Sequence, residues 1–254
     1  MDYSPRAYEY WVTSYRRVWR GSIVTSLVSP ILYLSAMGIG LGRVVNHGAH
    51  PLGIPYLDFV APGLLAAVCM QVATFESAYP VMGAIRWTRQ FHAQLSSPLR
   101  IRDVVVGHQM YVASRAAIVS GIYLVVITAF GAVHSIEALA AWPAAVLMAL
   151  AFSAPVCAFA AWLTRDEGFN ALFRFGLTPM FLFGGTFFPV TRLPHVFREI
   201  AYATPLWHAV DLMRHLTLGT ATVWWSLMHV AYLALWATAG LTLAQRTFTR
   251  RLVT

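Results

Sequence analysis

Two sets of side chains in this sequence stand where they could do more than pack. Glu76 lies inside an otherwise apolar run, about six residues or roughly 9 Å from its inner end, and the cations available to it are Arg115 and Arg174, each in a later apolar run. An ionisable group at such depth faces a bundle interior, pairs, or neutralises. The spacing leaves two readings open, a structural Glu76–Arg115 pair and a part in gating. A proton relay lacks a second buried carboxylate in line. His208, Asp211 and Arg214 follow at intervals of three, so on a helix they share a face, which suits structural hydrogen bonding around an outer gate. One histidine and one carboxylate are an incomplete metal set, and His195 and His215 do not complete it, so no metal is expected. Cys69 and Cys157 sit in apolar runs without ligand spacing and read as small packing residues. Neither GxSxG nor HExxH occurs, so no catalytic residue is expected.

All 18 basic residues are arginine. A phosphate-binding P-loop needs a lysine, so this chain is expected to carry no ATPase or cofactor of its own.

These side chains must be held by elements that live in lipid. The 254 residues are 58% hydrophobic and 11% charged, against roughly 25% charged in soluble domains. The apolar residues come in runs of about 20, the length that crosses a hydrocarbon core roughly 30 Å thick. Six spans are expected, at about 21–41 (through Pro30), 58–82, 103–131, 138–163, 171–188 and 221–243. The formal charge of +8 is not read as nucleic-acid binding, because the arginines flank the spans. Arg6, Arg16, Arg17, Arg20, Arg86, Arg89, Arg100, Arg102, Arg165, Arg246, Arg250 and Arg251 fall on one side, against Arg43, Arg192, Arg198 and Arg214 on the other. The positive-inside tendency then puts both termini in the cytoplasm. Residues 1–20 are too aromatic and arginine-rich for a cleavable signal peptide.

Three segments are neither span nor plain loop. In 4–20, Tyr8, Trp11, Val12, Tyr15 and Trp19 recur at helical spacing opposite the arginines, as in a helix lying at the interface; a plain juxtamembrane stretch is the alternative. Segment 83–102 is basic. Segment 189–219 is broken by Pro189, Pro194 and Pro205 yet rich in apolar residues. Two short helices re-entering the outer leaflet would fit it, as would an amphipathic hairpin on the outer surface. Asp166 and Glu167, between the fourth and fifth spans, either meet the amino-terminal arginines or are solvated.

The stretches PILYLSAMGIGLG, YLDFVAPGLLAA, FESAY, QLSSPLRIRDVVVG and PMFLFGGTFFPVTRLPHVFREIAYATPLWHAVDLMRHLTLG resemble, in order and over nearly the whole chain, type-2 ABC exporter permeases. The likeness is greatest to the nodulation protein J and drug-resistance branch. The resemblance implies an all-α integral membrane fold: an amino-terminal amphipathic helix, six spans, a cytoplasmic coupling helix and a re-entrant pair before the last span. It implies that the permease works in the bacterial plasma membrane as a dimer, with an identical or paralogous second permease. ATP and magnesium would then sit on a separate nucleotide-binding subunit. The coupling helix would lie in 89–102, with Phe91, Leu95, Pro98 and Leu99 offering apolar contacts to the ATPase and Arg89, Arg100 and Arg102 charge-assisted bonds.

The function so implied is ATP-driven export of an amphipathic, lipid-linked or drug-like molecule, with membrane lipids around it and no nucleic acid. Its path would draw on Tyr33, Met37, Met70, Phe75, Met180, Phe183 and Phe187 of the first, second and fifth spans, an apolar lining unlike the charged or carbonyl rings that select ions. Two rivals differ in what they require. A secondary transporter driven by an ion gradient calls for internal repeats and broken midplane helices, and no repeat relates the halves. A membrane-embedded lipid-modifying enzyme calls for a catalytic constellation.

Overall fold

Breakers and caps divide the apolar chain into helices. The computed structural model describes residues 3–17, 19–47 and 52–253, and every regular element within them is helical. Helix α1, Ser4–Tyr15, starts with a proline in its first turn, where the missing N–H costs nothing. Its tyrosine and tryptophan face packs on the bundle rather than resting on lipid alone: Ala7 and Trp11 are buried, and the Tyr8 hydroxyl meets Ser114 Oγ at 3.0 Å. The helix ends earlier than the expected residue 20; Val18 lies outside the described residues.

Helix α2, Trp19–Asn46, passes through Pro30 and loosens into a π-helical stretch at Ser35–Leu41. Helix α3, Tyr56–Arg86, breaks at Ala78, before Pro80, because proline supplies no N–H to the helical ladder. Residues 48–51 of the loop between α2 and α3 lie outside the described residues. Helix α4, Gln90–Leu95, is a short helix entered through Arg89 in a left-handed conformation (φ 48°). Helix α5, Ile101–Ala129, opens on a capping box in which Asp103 Oδ2 accepts the Arg100 N–H at 3.0 Å, satisfying a backbone donor that would otherwise be orphaned. Helix α6, Ala141–Trp162, follows a 3₁₀ turn at Ile136–Ala140.

Helix α7, 167–183, is built of three short pieces with a π-helical middle, Leu172–Leu177. Residues 184–189, GGTFFP, are not helical. Helices α8, His195–Tyr202, and α9, Pro205–Leu218, follow, with the Thr204 hydroxyl accepting the Trp207 N–H at the start of α9. Helix α10, Val223–Leu252, closes the chain.

Five helices of the described residues (α2, α3, the 3₁₀ turn with α6, α5 and α10) are long and apolar enough to cross a membrane. The expected fifth span at 171–188 is the difference: its helix stops at Phe183, where two glycines and then Pro189 end the ladder. The last span is longer than expected. The arginine-rich tail continues the helix because Phe248 gives it a buried face.

Helix α6 is the centre of the bundle, contacted by α10, α3, α5 and α9. Its alanines allow the close approach that drives helix association in lipid. At Gly240 of α10 a Cβ would stand 2.6 Å from the Pro155 nitrogen of α6, and at Gly107 of α5 a Cβ would stand 2.9 Å from the Ser4 carbonyl of α1. Helix α9 inserts against α3, α6 and α10 and buries Leu206, Val210 and Met213, whereas α8 buries only Ala201. The most apolar stretch of α2 is 14% buried against 78% for α3, so α2 is peripheral in the isolated chain.

Candidate functional site

Helices α1, α2, α3 and α5 converge on one cation. Arg115 of α5 donates from Nε to Glu76 Oε1 of α3 at 3.2 Å, from Nη1 to the Tyr15 hydroxyl of α1 at 2.6 Å, and from Nη2 to Ser22 Oγ of α2 at 2.8 Å. Its guanidinium also lies 4.2 Å from the Tyr15 ring centroid. The other Glu76 oxygen accepts the Tyr111 hydroxyl at 3.1 Å, and His108 Nε2 meets the Glu76 carbonyl at 3.1 Å. Trp11 stacks on Tyr111 and sits edge-on to His108. A buried charge needs a partner and further hydrogen bonds to be tolerated, and Arg115 has a charged partner and two hydroxyls. Arg174 does not join this group; it is exposed on α7.

An open cavity of about 460 Å³ adjoins this junction, lined by Ser26, Pro30, Gln71, Phe75, Glu76 and Arg115 among others. Gln71 and Phe75 also line a second cavity, of about 230 Å³, with Met70, Phe173, Thr178 and Phe181, between α3 and α7. A small third cavity adds Tyr33 and Tyr123. Of the expected path residues, Tyr33, Met70 and Phe75 therefore line cavities. Met37, Met180 and Phe187 are half-buried against the core, and Phe183 is exposed beside Phe197. Gln71, absent from the sequence-based set, is common to all three cavities; as an amide in an apolar run it was open to notice.

At the α4 end of the bundle, Phe91 is 0% exposed, held between Trp11 of α1 and Phe248 of α10 at ring centroid distances of 6.2 and 5.4 Å. It cannot serve as an outward contact as expected; it anchors α4 to the bundle. The reason is the helical tail, which brings Phe248 over α4. Leu95 and Leu99 are half-buried on the core, while Arg89, Pro98, Arg100 and Arg102 are exposed. Trp87, at the end of α3, is 63% exposed and was missed; a tryptophan among arginines was its signal. Arg86 donates to the Thr164 carbonyl, joining α3 to the turn before α7. Asp166 and Glu167 are exposed in that turn.

At the opposite end from α4, the three residues of α9 divide. His229 Nε2 of α10 donates to Asp211 Oδ2 at 3.2 Å, and His229 Nδ1 faces His208 Nδ1 at 2.8 Å. One of those two nitrogens must be bare, so the chain of contacts holds a single proton at that point. His215 Nε2 lies 3.7 Å from Asp211 Oδ2. Burial acts to raise the Asp211 carboxyl, but the His229 hydrogen bond and the charges of His215 and Arg214 outweigh it and leave it below the ordinary aspartate value. Arg214 turns away. Its Nε donates to the Phe59 carbonyl at 3.2 Å and its Nη2 to the Gly185 carbonyl at 2.7 Å, with the guanidinium 3.8 Å from the Phe59 ring centroid. The Tyr56 hydroxyl donates to the Phe187 carbonyl at 3.2 Å, and Asp58 pairs with His134 at 2.8 Å. His229, which joins His208 to Asp211, was also missed, although it is a polar residue in an apolar run.

A family model described as "ABC-2 type transporter" matches residues 9–218. Nodulation protein J of Rhizobium leguminosarum bv. trifolii is 32% identical over 220 residues, covering 84% of this chain and 83% of that protein. Nodulation protein J of Rhizobium meliloti (strain 1021) is 30% identical over 250 residues, covering 96% and 94%. The inner membrane transport permease YadH of Escherichia coli (strain K12) is 24% identical over 221 residues, covering 83% and 84%.

Proposed function

This chain belongs to the ABC-2 type transporter family as a multi-pass membrane permease, and from that premise we propose that it is the passive half of an ATP-driven exporter in a bacterial plasma membrane. Both termini face the cytoplasm. A separate nucleotide-binding subunit, holding ATP and magnesium, docks on the inner face, and a second permease, identical or paralogous, completes the conduit. The cargo is amphipathic: a lipid-linked or drug-like molecule taken from the cytoplasm or inner leaflet.

The observation that carries this reading is the inner face. Phe91 fixes α4 between Trp11 and Phe248, so force applied to α4 reaches α1 and α10 directly. Around that anchor stand Trp87, Arg89, Pro98, Arg100 and Arg102, all exposed, an aromatic and arginine set that suits docking on an acidic-rimmed groove. The exposed apolar residues of α2 and α7, such as Leu32, Val44 and Phe175, would face the second permease. The cavities, mainly apolar with Ser26, Gln71, Thr74, Thr178, two tyrosines and the Glu76–Arg115 end as their polar groups, suit an acyl or aromatic cargo with a polar head.

Co-purification with an ATPase encoded beside it, followed by vanadate-sensitive ATP hydrolysis, tests this reading. Trp87→Asp should cut ATPase binding at least tenfold and leave the melting temperature of the permease unchanged. Phe91→Asp should lower that temperature as well, since removing a buried phenylalanine costs about 3–5 kcal/mol. Full transport by the chain with no ATPase bound, or undiminished ATPase binding by both variants, would refute it.

A further inference from the structure

Gln109 of α5 is 7% exposed, and neither its Oε1 nor its Nε2 has a hydrogen-bond partner among the described residues. An amide left so in an apolar setting is costly, and a native bundle rarely keeps such a group without a partner. The side chain lines a slot of about 280 Å³ whose walls are Leu147, Leu150 and Ala154 of α6 and Ala234, Ala237 and Leu241 of α10. The hydroxyl of Thr238, also in the lining, is engaged by the carbonyls of Ala234 and Leu235 at 2.8 and 3.1 Å. Both amide atoms are themselves covered, so the carboxamide meets an occupant by turning towards the slot.

The wall residues span seven positions on each helix, so the slot runs for about 10 Å. It ends near the tight Gly240–Pro155 approach of α10 and α6. Gln109 stands about 12 Å along α5 from Ile101, and Ala154 about 12 Å from the end of α6 at Trp162. Both of those helix ends lie on the side of α4. Helix α5 has 29 residues, about 43 Å of helix against a hydrocarbon core of roughly 30 Å. About 6 Å overhangs at each end, which puts the Gln109 backbone about 6 Å inside the core, within a side chain's reach of the lipid ester carbonyls. A helix about 10–12 Å across is too wide for the slot; a chain one methylene wide is not.

We propose that this slot is an acyl-lipid binding site. An acyl chain from the leaflet on the α4 side lies between α6 and α10. Its ester carbonyl accepts from Gln109 Nε2, and a lipid hydroxyl or interfacial water donates to Oε1. The bound lipid braces α10, the helix that carries both Phe248 at the inner end and His229 at the outer end. The site is independent of any ATPase or cargo, so its failure and that of the transport reading are read separately.

The test uses the full chain in nanodiscs of phosphatidylglycerol and phosphatidylethanolamine, doped with a phosphatidylcholine whose acyl chain carries a diazirine. After irradiation, peptide mass spectrometry should find adducts at 147–154 and 234–241 at least fivefold denser than around Val125 and Trp224, which are exposed on the bundle surface. Ala237→Phe should fill the slot and cut those adducts about fivefold. Gln109→Leu carries the same test if that variant fails to fold: it should lose lipid retention severalfold while raising the melting temperature in lipid-free detergent, because the orphaned amide is gone. Equal labelling of slot and surface, or slot labelling by both variants at the wild-type level, overturns the proposal. Cross-linking of Ala237→Cys to a second copy, in place of lipid, overturns it in favour of a protein occupant.

Discussion

Two arginines lie within the bundle, Arg115 buried and Arg214 half-buried, and they are satisfied in different ways. Arg115, midway along α5, is met by a carboxylate and two hydroxyls from three other helices. Arg214, on α9, is met by two backbone carbonyls and the face of Phe59. A cation held by side chains locks helices to one another, since each partner is itself fixed in a helix. A cation held by carbonyls instead pins a stretch of irregular backbone, here the non-helical 184–189 segment through Gly185. The Arg115 junction, the inner one in the proposed orientation, is therefore suited to transmit a push as a unit, and the Arg214 junction, the outer one, to release a segment when pushed.

That contrast is open to attack, starting with its strongest part. Glu76→Gln or Arg115→Gln should each cost about 3 kcal/mol in a reversible unfolding assay, because either change leaves a buried group without its charge partner. The double variant should lose less than the two together, by about 1–2 kcal/mol of coupling; strict additivity would show that the pair does not act as one.

A smaller effect is expected at the outer end. Arg214→Leu removes a donor from two carbonyls and should cost about 1–3 kcal/mol. It should also speed proteolysis at 184–194 while leaving the inner helices protected. Uniform loss of protection across the chain would erase the distinction between the two ends.

The smallest effect is one of pH. His208 lies on α9, which is not among the spanning helices, and burial together with the neighbouring His229 pushes its imidazole down to about 4, from an ordinary value near 6.5. Between those values the unfolded chain takes up a proton that the folded chain refuses, so stability is full above about 6.5 and falls as pH drops towards about 4. The melting temperature should decline by a few degrees over that window, and His208→Gln should flatten the decline. A melting temperature that rises on acidification would contradict the single-proton contact between His208 and His229.

How much of this was open to reading from the chain depended on distance along it. The runs of apolar residues and their breakers placed most of the helices to within a few residues, the end of α10 excepted, because length and proline are local properties. The Glu76–Arg115 spacing invited pairing for the same reason that intramembrane charge is rare. Phe91 was misjudged because its burial rests on Phe248, far away in a tail that composition alone marks as polar. His229 and Trp87 went unremarked since neither belongs to a spaced pattern; a polar residue in an apolar run, and an apolar one in a basic run, were the available signals. The shortened α7 follows from Gly184 and Gly185, whose effect on a helix end was outweighed by the hydrophobicity of the phenylalanines around them.

The most direct test is a pair of spin-label distances, read with the ATPase partner bound in its resting state and again trapped with vanadate. Labels at Tyr10 and Ser97 report the inner unit, and labels at Phe197 and Val223 the outer segment; all four sites are exposed. The inner distance should stay within about 2 Å between the two states while the outer distance shifts by more than about 5 Å, the scale of one helical turn. An inner pair that separates while the outer pair holds still would contradict the account.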